Sequence, residues 1–147
     1  MQENIEILVL TDREDLPHYA SEGASGADIR AHLSDSLIIS PGHTALIPTG
    51  LFFEIPQGYE IQIRPRSGLA CHDKITILNT PATIDSDYRG ELKVILINHG
   101  ESEFEVKPDM RIAQLVVTPV FKARFVRTKT LSKSGRGSGG FGHTGIG

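Results

Sequence analysis

Tyr59-Glu60-Ile61-Gln62-Ile63 alternates apolar and polar residues one for one, the period of a strand with one face buried. Phe104-Glu105-Val106-Lys107 repeats the pattern. Outward from these two, strand-like segments lie at residues 5–10, 27–33, 37–40, 44–47, 51–55, 75–78, 91–97, 111–118 and 120–126. Pro41-Gly42, Gln57-Gly58, His99-Gly100 and Pro108-Asp109 punctuate them as turns. No long window carries a helical stripe, and one short helix is expected from Ser67 through His72, with Ser67 as its cap. Many short strands separated by turn signals predict an all-β sandwich or barrel.

The 147 residues are one domain's worth of chain, 39% hydrophobic and 22% charged, a composition neither disordered nor membrane-embedded. Wholly apolar runs such as Val94-Ile95-Leu96-Ile97 are far too short to span a bilayer. The start, MQENIEILVL, holds two acids and no Lys or Arg, so no secretory signal is expected. A single cysteine, Cys71, excludes an intrachain disulfide and a multi-cysteine zinc site. The six histidines show no metal-ligand spacing. A cytoplasmic, reduced protein is expected, with no membrane partner. The net charge of −3 argues against nucleic acid as a partner.

That charge is unevenly spread. Residues 1–121 hold all 18 acids against 9 basic residues, a net of −9; residues 122–147 hold six basic residues and no acid, a net of +6, which together give −3. Residues 134–147 also carry seven of the 15 glycines. The plain reading is a solvated, disordered end. The sharper one is a flexible arm that closes on an anion, with glycine N–H groups and the Arg136 guanidinium as donors. Gly137-Ser-Gly139-Gly140-Phe-Gly142 fits G-x-G-x-x-G, but only five residues follow and no helix can start there, so the dinucleotide fingerprint is rejected. Phe141 is then either incidental or a platform that stacks on a flat ligand such as a nucleobase.

Three further sites bear chemistry. Arg66-Ser67-Gly68 reads either as a charged loop or as a phosphate nest of guanidinium, hydroxyl and backbone N–H. Asp85, after the extended Thr83-Ile84, is either a solvated turn acid or a carboxylate that holds and polarises a water. Asp28, an acid inside a strand pattern, has two options: a turn hydrogen bond, or an outer link to a hydrated cation such as Mg²⁺.

Five motifs in this order resemble the homotrimeric dUTPase family: Ser25 to Ala31, Pro65-Arg66-Ser67-Gly68-Leu69-Ala70, Asn79 through Gly90, Arg111-Ile112-Ala113-Gln114-Leu115-Val116, and Arg136 to Gly145. The resemblance covers nearly the whole chain. It implies a jelly-roll-like β-barrel (the dUTPase-like β-clip) over residues 1–133 and a glycine-rich arm, 134–147, closing over a neighbour's site. It implies a homotrimer whose active sites each draw on three subunits: one gives the first, second and fourth motifs, another the third motif, the last its arm. The implied reaction is dUTP plus water giving dUMP and pyrophosphate, with Mg²⁺ on the triphosphate; it keeps uracil out of DNA and supplies dUMP for dTMP synthesis.

By that resemblance Asp85 orients and activates the water that attacks the α-phosphorus. Arg66, Ser67, Gly68 and Gln114 bind phosphates, and Asp28 touches the water shell of Mg²⁺. Asn79 and the backbone near Thr83 and Ile84 read uracil, Tyr88 packs under the deoxyribose, and Lys93 adds a main-chain contact. Phe141 is the lid over uracil, while Arg136, Gly142, His143 and Thr144 meet the γ-phosphate. Two positions depart from the family pattern: Ala82 stands where Gly is usual, a strain of about 1 kcal/mol if the site needs positive φ, and His143 stands where many members have Ser. The same fold also serves dCTP deaminases, including bifunctional forms, and a non-catalytic nucleotide-binding module is the non-enzyme alternative.

Overall fold

The computed structural model describes residues 4–147; the first three residues, part of the expected domain and of the reading of the N-terminus, lie outside it. Eleven strands follow in order: β1 (Leu8–Leu10), β2 (His18–Tyr19), β3 (Ala27–Arg30), β4 (Leu37–Ile39), β5 (Thr44–Glu54), β6 (Tyr59–Arg64), β7 (Ile75–Ile77), β8 (Ala82–Ile84), β9 (Glu91–Asn98), β10 (Phe104–Val106) and β11 (Arg111–Pro119). They form a four-stranded sheet β1-β5-β9-β7, a five-stranded sheet β2-β3-β11-β6-β8 and the pair β10-β4, with every pairing antiparallel. This is the all-β architecture that the strand pattern predicts, in the jelly-roll-like form that the resemblance implies.

The alternation of β6 explains its place. Ile61 and Ile63 are 0% and 1% exposed, while Gln62 and Arg64, which alternate with them, stay half-buried. Burying each Ile is worth roughly 1.5–3 kcal/mol, and a one-residue slip would turn both outward, so the register is fixed. Ile29, Ile39, Ile47, Ile75, Ile77, Leu92, Val94, Leu96, Val106 and Ile112 complete the core between the sheets.

Residues 44–47 and 51–55, expected as two strands, are one strand with a bulge. The register of β5 on β9 shifts between Pro48 and Phe52. Gly50 takes φ +70, and a Cβ there would lie 3.0 Å from the His32 ring, so both the turn of the backbone and the close approach need glycine. The bulge is pinned by polar contacts: Thr49 Oγ1 donates to Leu92 O at 2.6 Å, and Gly50 N donates to Glu91 Oε1 at 3.0 Å.

Two expectations fail. Residues 120–126 are not a strand: β11 ends at Pro119, the Val120 N–H donates to Gly58 O at 2.8 Å, and all seven residues are exposed. Phe121 and Phe125 are 91% and 95% exposed. The apolar alternation is real, but a strand needs a neighbour to take its N–H and C=O groups, and this chain offers that segment none. Ser67 does not cap the short helix either. The helical backbone starts at Ser67 itself and widens into a single π turn over Leu69–Asp73, capped at Gly68 with no side-chain hydrogen bond and closed by Lys74 in a left-handed conformation. The two-residue β2 had no legible period.

A polar cluster ties the first loop to the barrel end. Arg13 donates to Asp15 Oδ1 at 3.0 Å and to Asp109 Oδ1 at 2.8 Å. The Arg13 hydrogen bond holds the Asp15 carboxyl below its ordinary range, and for Arg13 the two carboxylates outweigh the opposing effect of burial. A depressed Asp15 adds stability above its unfolded pKa that fades as pH falls through the folded one. Both acids are half or more exposed, so each pair contributes at most about 1 kcal/mol, and the core carries the fold.

Candidate active site

The five-stranded sheet sets three motifs side by side. Asp28 of β3 lies opposite Gln114 of β11, which lies opposite Arg64 of β6. Gln114 Nε2 donates to Pro65 O at 3.0 Å, and Gly26 leaves room for its amide, since a Cβ on Gly26 would collide with Gln114 Oε1. The Asp28 carboxylate, 17% exposed, sits between Arg66 Nε at 3.5 Å and Arg111 Nη1 at 3.3 Å. Arg66 Nη1 donates in turn to Arg111 O at 3.4 Å. Two guanidiniums against one carboxylate leave a net positive spot, and Ser67 and Gly68 follow Arg66, exposed, beside it. Such a set can hold an anion with several oxygens.

The third motif builds a separate cleft of about 300 Å³. Thr83, Ile84, Asp85, Tyr88 and Lys93 line it, with Leu46, Glu91 and Leu92. β8 is held on β6 by the pairs Ala82↔Ile63, Thr83↔Gln62 and Ile84↔Ile61, which delivers Asp85 to the end of the strand. The following turn closes with Tyr88 N donating to Asp85 O at 3.1 Å, and Arg89 Nη1 donates to Ser86 O at 2.7 Å across it. The Asp85 carboxylate is exposed and joins no ion pair among the described residues, so it is open to a water. Tyr88 Oη donates to Glu91 O at 2.9 Å. A larger groove of about 760 Å³, between Tyr19, Tyr59 and Val117, holds none of the candidate side chains; its size alone does not make it the site.

Within one chain the candidates thus fall into groups. Asp28, Arg66 and Gln114 meet each other's neighbourhood but do not line the cleft of Asp85. Asn79 is exposed in the turn after β7 and does not line it either. The arm touches neither group: Arg136 Nε donates to Gly139 O at 2.6 Å, His143 N to Gly140 O at 3.1 Å, and Phe141 is fully exposed at φ +52. Gly142 and Thr144 are exposed beside them. Arg111 opens the fourth motif, and its only sequence signal is its place three residues before Gln114.

A family model described as dUTPase matches residues 12–145. The chain belongs to the dUTPase family. It is 58% identical over 132 residues to the deoxyuridine 5'-triphosphate nucleotidohydrolase of Chlamydia pneumoniae, covering 89% of this chain and 91% of that one. The corresponding protein of Rhizobium rhizogenes is 54% identical over 134 residues, covering 90% of this chain and 86% of its own. Among solved structures, a Staphylococcus bacteriophage 80alpha dUTPase with dUPNHPP superposes with a TM-score of 0.85 at 23% identity, over 96% of this chain and 99% of that one. A dUTPase from phage phi11 of S. aureus, described with a structural Mg(II) ion, gives 0.76 at 18% identity, over 87% of this chain and 99% of that one.

Both departures from the family pattern have a place in the fold. Ala82 opens β8 opposite Ile63, 8% exposed, with φ outside the left-handed region. It adds no backbone strain and contributes a methyl group to the core. The His143 ring folds against Gly139, where a Cβ would come within 2.6 Å of it.

Proposed function

We infer that this chain hydrolyses dUTP to dUMP and pyrophosphate, at sites that each combine three subunits of a homotrimer. One observation carries the shared site: the phosphate-binding group, the Asp85 cleft and the arm stand apart in one chain, yet the reaction needs all three on one nucleotide.

Uracil and deoxyribose occupy the cleft of Thr83, Ile84, Tyr88 and Lys93, and Asn79, from the turn after β7, is assigned to uracil by the family resemblance alone. Another subunit's Arg66, Ser67, Gly68 and Gln114 hold the phosphates. The arm of the last closes with Phe141 over the base and Arg136, Gly142, His143 and Thr144 at the γ-phosphate. Asp85 takes a proton from the water as its oxygen bonds to the α-phosphorus, and the bond to the bridging oxygen of the leaving pyrophosphate breaks. Placement and charge neutralisation supply most of the acceleration. Among the described residues no three His, Cys, Asp or Glu side chains form a cage for a metal ion. Asp28, oriented by Arg111, is the carboxylate that would meet the water shell of a Mg²⁺ carried by the triphosphate. When bound, the ion would neutralise charge on the phosphate oxygens.

A cytoplasmic location belongs to the same proposal: the chain offers Cys71 no second cysteine for a structural disulfide, the device of many secreted domains. No helix among the described residues is long and apolar enough to cross a membrane.

The test is pyrophosphate release by the purified protein over the four common dNTPs, dUTP and UTP. Turnover of dUTP alone is expected. Ammonia from dCTP would make the protein a deaminase, and dUTP binding without turnover would make it a binding module.

A further inference from the structure

We propose that Gly90 determines sugar specificity, as a positioning residue that acts through Tyr88. The inference rests on the reading of the Asp85 cleft as the nucleoside site.

Tyr88 leaves the turn that its own N–H closes on Asp85 O, and its hydroxyl reaches forward to Glu91 O at 2.9 Å. To span that distance the ring must cross residue 90. A Cβ on Gly90 would collide with Tyr88 Oη and stand 2.6 Å from Cζ and 3.1 Å from Cε2. The ring lies where it does because residue 90 has no side chain. A left-handed backbone does not demand this glycine, since its φ lies outside that region. What the glycine provides is space, and the space is filled by the aromatic ring that lines the cleft.

The consequence is selectivity. A wall that rejects one added hydroxyl must not yield to it, because an apolar surface by itself discriminates weakly against such a group. The Tyr88 ring is fixed at both ends, by the turn at its backbone and by Glu91 O at its hydroxyl. A methyl group at residue 90 displaces the ring and breaks the outer anchor. The backbone bonds of the turn, Tyr88 N to Asp85 O and Arg89 Nη1 to Ser86 O, remain available.

The experiment compares kcat/KM for dUTP and UTP in native protein, Gly90→Ala, Tyr88→Ala and the double variant, with folding checked by circular dichroism and melting. Gly90→Ala should narrow the ratio of dUTP to UTP by about tenfold or more. In the Tyr88→Ala background the same change should do nothing further, because the ring through which it acts is gone. An unchanged ratio in folded Gly90→Ala overturns the proposal, as does equal narrowing with and without Tyr88. Should Gly90→Ala fail to fold, Tyr88→Phe carries the test: losing the hydroxyl anchor must narrow the ratio, and an unchanged ratio overturns the proposal. Native protein that turns over neither nucleotide overturns both this inference and the reading of the site. Native protein that discriminates while Gly90→Ala discriminates equally overturns only the role of Gly90.

Discussion

Asp85→Asn is expected to bind dUTP nearly as the native protein does while kcat falls by a factor of about 10² or more. The substitution keeps the shape of the side chain and removes the negative oxygen that would take the proton of the attacking water. Asp85 is exposed and joins no ion pair among the described residues, so the fold has little to lose. Binding by isothermal titration and turnover by pyrophosphate release separate the two effects. Near-normal turnover in a folded variant would remove Asp85 from its role.

Truncation after Ser134 should abolish activity and leave the barrel intact. Every strand ends by Pro119, and residues 135–147 add no side chain to the core. The melting temperature and oligomeric state should therefore hold. Turnover should collapse because Arg136 and Phe141 leave together, one a charged partner for phosphate and the other a surface for the base. Phe141→Ala alone should cost less, about 1–3 kcal/mol of stacking. Native hydrolysis by the truncated protein would make the tail a plain solvated end.

How much was legible in the sequence depended on the range of the interaction. Strand alternation is local, so β6 and β10 were readable from their period, and β9 and β11 as apolar segments bounded by turn signals. Residues 44–47 and 51–55 read as two strands, because the hydrogen bonds that make Thr49-Gly50 a bulge come from Leu92 and Glu91, some forty residues on. Residues 120–126 carried a strand's pattern without a strand's partner, and a pattern cannot report whether a neighbour exists. Asp28, Arg66 and Gln114 were found through ordered motifs. The pairing of Arg111 with Asp28 joins residues 83 positions apart and had no signal in spacing. The space that Gly90 leaves for Tyr88 exists only once the turn is folded.

The shared site is the central claim, and subunit mixing tests it most directly. Asp85→Asn and the truncation after Ser134 are each expected to be inactive. Co-expressed in equal amounts, they assemble at random into closed threefold rings. A working site then takes Asp85 from a truncated chain and the arm from an Asp85→Asn chain. Each choice has a probability of about one half, so roughly a quarter of native activity should return, one site in every mixed trimer. Mixed trimers confirmed by mass that recover no activity would contradict the account, because a site drawing both parts from one subunit cannot be rebuilt by mixing.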